Sequence, residues 1–85
     1  MLEKTIVNQI KNRVEKAGGM AIKLHGGPYQ VAGLPDLVVI RNGETIWLEV
    51  KTPTGRVTAI QEAMHRKMRE HGARVYVVRS ADEVM

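Results

Sequence analysis

Two carboxylates and a lysine bracket the most apolar hairpin of the sequence. In "PDLVVIRNGETIWLEVK", Asp36 stands at one end and Glu49 and Lys51 at the other. Asn42-Gly43 between the two apolar runs predicts a type I′ turn, because both residues tolerate positive φ. That turn sets a register with Arg41 opposite Glu44, Leu37 opposite Leu48 and, continued to its end, Asp36 opposite Glu49. Cross-strand partners have Cβ atoms about 4.5–5.5 Å apart, where like charges repel. Two carboxylates so placed need a proton, a basic neighbour or a metal ion between them. Strand alternation sets Lys51 on the face of Glu49, about 6.5–7 Å along the strand. Charges that merely solubilise strand ends would look the same. Against that, Pro35 has no N–H for a ladder and suits the first position of a strand, so Asp36 sits at a defined strand start.

The elements that must position these groups are legible on either side. "LEKTIVNQIKNRVEKAGG" predicts a helix, with Leu2, Ile6, Ile10, Val14 and Ala17 at helical spacing and Gly18-Gly19 as its stop. "MAIKLH" alternates, with Met20, Ile22 and Leu24 on one face, and predicts a half-buried strand. "GGPYQVAGLP" is a long loop for so small a chain, and such loops are often functional. "TPTGRV" is a second loop. "TAIQEAMHRKMREHG" predicts a second helix with Ile60, Ala63, Met64 and Met68 as its apolar stripe and Gly72 as its stop. "RVYVVRS" is a last strand. The order α-β-β-β-α-β gives one antiparallel hairpin and one parallel crossover, hence an α/β fold with a four-stranded mixed sheet flanked by helices.

A chain of 85 residues makes one domain, here spanning residues 1–85. A domain this small buries little of its surface, and pairing with a second copy would add to it. There is no cysteine. Disulfides and thiolate metal sites are therefore excluded, and any metal must be held by oxygen or imidazole, as suits magnesium or manganese. The longest apolar runs are four residues, Leu37–Ile40 and Val75–Val78, so no membrane span or signal peptide is expected. Lys and Arg number 13 against 9 Asp and Glu, for a net charge of +4. The imbalance widens if Glu3, Asp36 and Glu49 are reserved for a metal. A basic balance favours nucleic acid as partner.

These residues carry a resemblance. Pro35-Asp36, a hairpin and then Glu49-Val50-Lys51 is the signature of the PD-(D/E)xK nucleases. The surrounding "GLPDLVV", "LEVKTPTGRVTAIQ" and "HGARVYVVRS" resemble the VRR-NUC (virus-type replication-repair nuclease) family of that superfamily, over nearly the whole chain. The resemblance implies a restriction-endonuclease-like core and a divalent-metal-dependent DNA endonuclease using Mg2+ or Mn2+. It implies catalytic roles for Glu3, Asp36, Glu49, Lys51 and Gln61, and metal ligation by Glu3, Asp36, Glu49 and the Val50 backbone carbonyl. Compact stand-alone members of this type are phage and bacterial proteins that dimerise and cut branched DNA. A homodimer acting on branched DNA such as Holliday junctions, in the cytoplasm of a bacterium or phage-infected host, is therefore expected. Thr58 stands where the family more often has serine, a conservative change.

Each residue also has a plainer role open to it. An acid in a first helical turn, such as Glu3, favours the macrodipole. Thr58 and Gln61 have the spacing of a capping box. Lys23 can join a phosphate site or be a solvated strand residue. His65 and Arg69 follow Gln61 at i+4 and i+8 and, with Arg66, make a face that could track a DNA backbone or simply be solvated; Arg56 on the second loop is a further candidate DNA contact. His25 and His71 have no paired spacing that suggests zinc. The loop from Gly26 to Gly33 can offer backbone amides or Tyr29 to substrate, or serve only as a connection. A non-catalytic basic nucleic-acid-binding module is the alternative function, and a small dimerising interaction module a third.

Overall fold

In the computed structural model, which describes residues 1–24 and 31–84, the turn at Asn42-Gly43 is formed, with φ of 51° and 78°. It joins β2 (Leu37–Arg41) to β3 (Glu44–Val50) in the predicted register, from Arg41 opposite Glu44 to Leu37 opposite Leu48. β1 (Met20–Lys23) pairs antiparallel with β2, and β4 (Val75–Val78) pairs parallel with β3. Among the described residues the four strands make one mixed sheet in the order β1-β2-β3-β4. The element order is helix α1 (Glu3–Lys16), three strands, helix α2 (Ala59–Glu70) and β4, followed by a 3-10 turn at Ala81–Glu83. No described helix is long and apolar enough to cross a membrane.

The core forms where α1 lies on one face of the sheet. Ile6, Val7, Ile10 and Val14 of α1 meet Leu37, Val39, Leu48, Val50 and Val78, with Ala81 closing one side. Alternation then fixes what faces the other way: between the buried Leu48 and Val50, Glu49 must point away from α1 toward α2. The hydrophobic core thus serves as the fixed mount for the acid.

Two apolar stripes lie elsewhere than their periodicity predicts. The apolar face of β1 stays open, with Met20 56% and Ile22 43% exposed, while Ala21 packs on the core. Its small side chain lets α1 come close. In α2 Ile60 is 62% exposed and, among its described residues, only His65 is buried. Met64 and Met68 of the predicted stripe are half-buried, but the fully buried position of α2 goes to His65, because a buried carboxylate waits there and a hydrogen-bonding side chain satisfies that acid where a methionine cannot. Leu2, predicted to begin the α1 stripe, precedes the helix and is exposed.

Gly33 holds the segment before β2 against α2. Its φ is +85°, and a Cβ there would lie 2.6 Å from the Ile60 carbonyl oxygen. Both the conformation and the space require glycine. Gly33→Ala is expected to lower stability by about 1–3 kcal/mol, read as a fall in the denaturant midpoint at unchanged slope.

Candidate active site

The hairpin delivers its acids to one end of the sheet, but not as simple cross-strand partners. The ladder stops at Leu37 opposite Leu48. The Asp36 N–H donates to the Leu48 carbonyl at 3.0 Å, so Asp36 and Leu37 both meet Leu48, the two-against-one count of a β-bulge. The predicted pairing of Asp36 with Glu49 is therefore not made. Asp36 is instead turned so that its Oδ2 accepts the Val50 N–H at 2.8 Å, a bond that fixes the carboxylate at the end of the strand pair. Its Oδ1 lies 3.7 Å from Lys23 Nζ.

Glu49 still lies close enough to Asp36 for the two carboxyls to act on each other. It is 1% exposed, and its Oε1 is 3.2 Å from Nε2 of His65, itself 1% exposed. Burial pushes the Glu49 carboxyl up from 4.5 to about 8; the hydrogen bond and charge of Asp36 add to this, Glu3 adds a little, and Lys51 pulls the other way. At neutral pH the metal-free site therefore keeps a proton on the acid pair. Burial also holds the His65 imidazole below its ordinary value, with Arg69 adding to the effect. A neutral imidazole can donate Nε2–H to Glu49 while staying uncharged.

Lys51 lies two residues beyond Glu49 on the same face and is also buried. The loop after it is pinned: Arg79 Nη1 donates to the carbonyls of Thr52 and Gly55 at 2.7 and 2.6 Å. Glu3, in the first turn of α1, lines a cleft with Asp36 and Lys23. The structure therefore gathers Glu3, Lys23, Asp36, Glu49 and Lys51 at one end of the sheet.

Gln61 forms the capping box: its Oε1 accepts the Thr58 N–H at 3.0 Å, and its own N–H donates to Thr58 Oγ1 at 3.2 Å. His65 does not lie on a DNA-tracking face; it is buried against Glu49, and desolvation is the reason it meets an acid rather than a phosphate. Arg69 gives two of its nitrogens to the Val75 carbonyl, at 3.1 and 2.7 Å. Arg56 and Arg66 are exposed. His25 and Tyr29 lie outside the described residues.

Sequence reasoning missed His65 as the partner of Glu49 and Arg79 as the pin of the loop after Lys51. No local pattern marks His65, because its partner is set only when β3 and α2 come together. Nothing local marks Arg79.

Two carboxylates sharing one buried end of the sheet, one of them held protonated, are a donor set short of positive charge. That suits a hard divalent cation, which would replace the proton. Among the described residues no group of three or more His, Asp or Glu side chains forms a ready cage, so the remaining positions would fall to a backbone carbonyl and water, as magnesium commonly accepts.

A family model for the VRR-NUC domain matches residues 8–82. A solved structure of a VRR-NUC domain matches with a TM-score of 0.82 at 32% identity, over 96% of this chain and 88% of that one. Among curated proteins no match is found.

Proposed function

The chain belongs to the VRR-NUC family, and from that membership we propose that it is a divalent-metal-dependent, structure-selective endonuclease that cuts branched DNA as a homodimer. The family is one of PD-(D/E)xK nucleases with DNA as substrate and general dependence on divalent metal. The observation that carries the reading is Asp36, fixed by the Val50 N–H at the end of the hairpin, with the buried Glu49 and Lys51 at the same end.

Asp36, Glu49 and the Val50 carbonyl would hold the cation, magnesium or manganese, with Glu3 of the adjoining cleft reaching it through water. When bound, such a cation supplies an acidified water and charge neutralisation at the phosphate. In hydrolysis the water oxygen gives up a proton and bonds to phosphorus, the bond from phosphorus to the leaving sugar oxygen breaks, and that oxygen takes up a proton from solvent. Lys51, itself buried, stabilises the charge that develops on the phosphoryl oxygens. Gln61 has its side-chain oxygen committed to the cap and keeps its NH2 group to orient water or phosphate. Lys23, Arg56 and Arg66 take DNA phosphates.

Two points support a dimer on branched DNA. A chain with one acid centre needs a partner to cut two strands, and C2 pairing is the commonest symmetry. Met20, Ile22, Ile40, Val31 and Ile60 leave apolar surface open for it. The described residues offer no helix or metal module set apart for base reading, so shape and backbone contacts would select the substrate. A panel of labelled flaps, splayed arms and four-way junctions, scored with each metal, tests the substrate class, and light scattering tests the dimer. Branched DNA cut no faster than plain duplex, or a monomer at micromolar concentration, would remove these two parts of the reading.

His65 is assigned a positioning role through Glu49. His65→Leu is expected to weaken metal affinity and cleavage about 10–100-fold, whereas His65→Gln, which retains a donor at the same reach, restores most of both. Titration calorimetry with manganese reads the metal term directly. A purely structural histidine would give equal losses in the two variants.

A further inference from the structure

The cleft between α1 and the end of β1 has a volume of about 390 Å3, and its walls carry Glu3, Lys4, Asn8, Lys11, Lys23 and Asp36. One end is thus the acid centre itself, and the other is a row of cations. Lys4, Asn8 and Lys11 stand at i, i+4 and i+7, a single stripe on the helix flank beside the buried Ile6, Val7, Ile10 and Val14. Of the cleft lysines, Lys23 touches Asp36; Lys4 and Lys11 make no ion pair among the described residues. The arginine farther along α1, Arg13, is committed to Asp82 at 2.6 Å, so the row ends where the helix meets the 3-10 turn.

We propose that this cleft is the binding lane for the strand running away from the scissile phosphate, with Lys4 and Lys11 of α1 on two phosphates of that strand and Asn8 between them. Seven residues at 1.5 Å each set Lys4 and Lys11 about 10 Å apart along the helix. The helix begins at Glu3, beside the acid centre, so the lane leads outward from the point of attack. Its floor includes the apolar Val7, and its cations belong to lysine, which serves phosphates as a point charge without reading bases. On the opposite side of the acid centre Arg66 and Arg69 share a groove with Glu62 and Glu70. There the charges alternate and Arg69 is already bonded, so the α1 cleft is the more positive of the two approaches.

The inference rests on the reading of the chain as a DNA-cutting enzyme, but its test is run with chemistry switched off. Wild type, Lys4→Ala/Lys11→Ala and, as a control of equal charge change per site, Lys16→Ala are titrated onto a fluorescein-labelled four-way junction in EDTA at a series of salt concentrations. Losing two phosphate contacts should flatten the plot of log K against log salt by about 1.8. Equivalently, wild type should lose about tenfold more affinity than the double variant between about 50 and 200 mM salt. Lys16→Ala should keep the wild-type slope. Equal slopes for wild type and the double variant, or no binding by wild type, would overturn the lane. If the slope changes as expected but wild type cuts no DNA in magnesium or manganese, the lane stands as a binding surface and the catalytic reading falls. If wild type cuts DNA and the slope does not change, the reverse holds.

Discussion

Asp36→Asn is expected to reduce metal-dependent DNA cleavage by at least about 1,000-fold, and Lys51→Met by about 100–1,000-fold, each leaving the fold intact. The size follows from what each group does. Removing a single preorganised group that meets charge developing in the transition state costs about 100–1,000-fold, and Asp36 also holds the cation that supplies the water. The choice of substitution follows from the structure. Asp36 Oδ2 accepts the Val50 N–H at 2.8 Å. Asparagine keeps an oxygen for that bond, whereas alanine would orphan a buried donor at a cost of about 1–3 kcal/mol and confuse loss of chemistry with loss of structure. Lys51 is 8% exposed, so methionine, which keeps most of the apolar stem, spares the packing that alanine would remove. Circular dichroism and the denaturant midpoint check the fold; single-turnover cleavage reads the chemistry.

Glu49→Gln is expected to abolish cleavage and yet make the metal-free protein more stable. The folded chain holds the Glu49 proton up to about pH 8, against an ordinary value of 4.5. Between those values the folded state binds more protons than the unfolded one, so stability falls as pH rises through that window. His65 runs the other way: its lowered value means stability is gained as pH rises through the ordinary imidazole range near 6.5. The net decline therefore shows most clearly above pH 7. From pH 7 to 8.5 wild type should lose on the order of 1 kcal/mol, or about 4–8 °C in Tm for a domain of this size. Glutamine mimics the protonated acid, so the variant should be flat across this range and more stable than wild type at pH 8.5 by more than wild type itself loses from pH 7. Saturating magnesium should raise the Tm of wild type and leave the variant unmoved. A wild-type Tm that rises from pH 7 to 8.5 in EDTA would show that Glu49 ionises freely in the fold.

The opposition between stability and function at Glu49 also explains which parts of the site were legible in the sequence. The hairpin register was, because Asn42-Gly43 allows one tight turn and apolar alternation penalises any slip. The α1 core stripe was too, since Ile6, Ile10 and Val14 follow the helical period and find a sheet to cover. The placement of Asp36 was not: a bulge at the strand's first residue depends on how the preceding segment, with Gly33 against Ile60, enters the sheet, and no local pattern records it. The inner face of α2 misled for a physical reason. Periodicity assumes that apolar residues face inward, but a buried carboxylate on β3 outweighs several methyl groups and draws His65 to it. A lone histidine in a basic helix gives no sign of that partner until the sheet is built. The capping role of Gln61 was legible in the Thr58-x-x-Gln61 spacing, and the family resemblance added a second role that the cap leaves room for.

The central claim is that the acid pair at the end of the hairpin, with Lys51, forms a metal-dependent centre for cutting DNA. Its most direct test is cleavage of a labelled four-way junction by purified wild type and Asp36→Asn, with magnesium, with manganese and with EDTA. The structure predicts cutting by wild type in at least one of the two metals, none in EDTA, and none by Asp36→Asn in either metal. Cutting that persists in EDTA, or equal cutting by the two proteins, would contradict it.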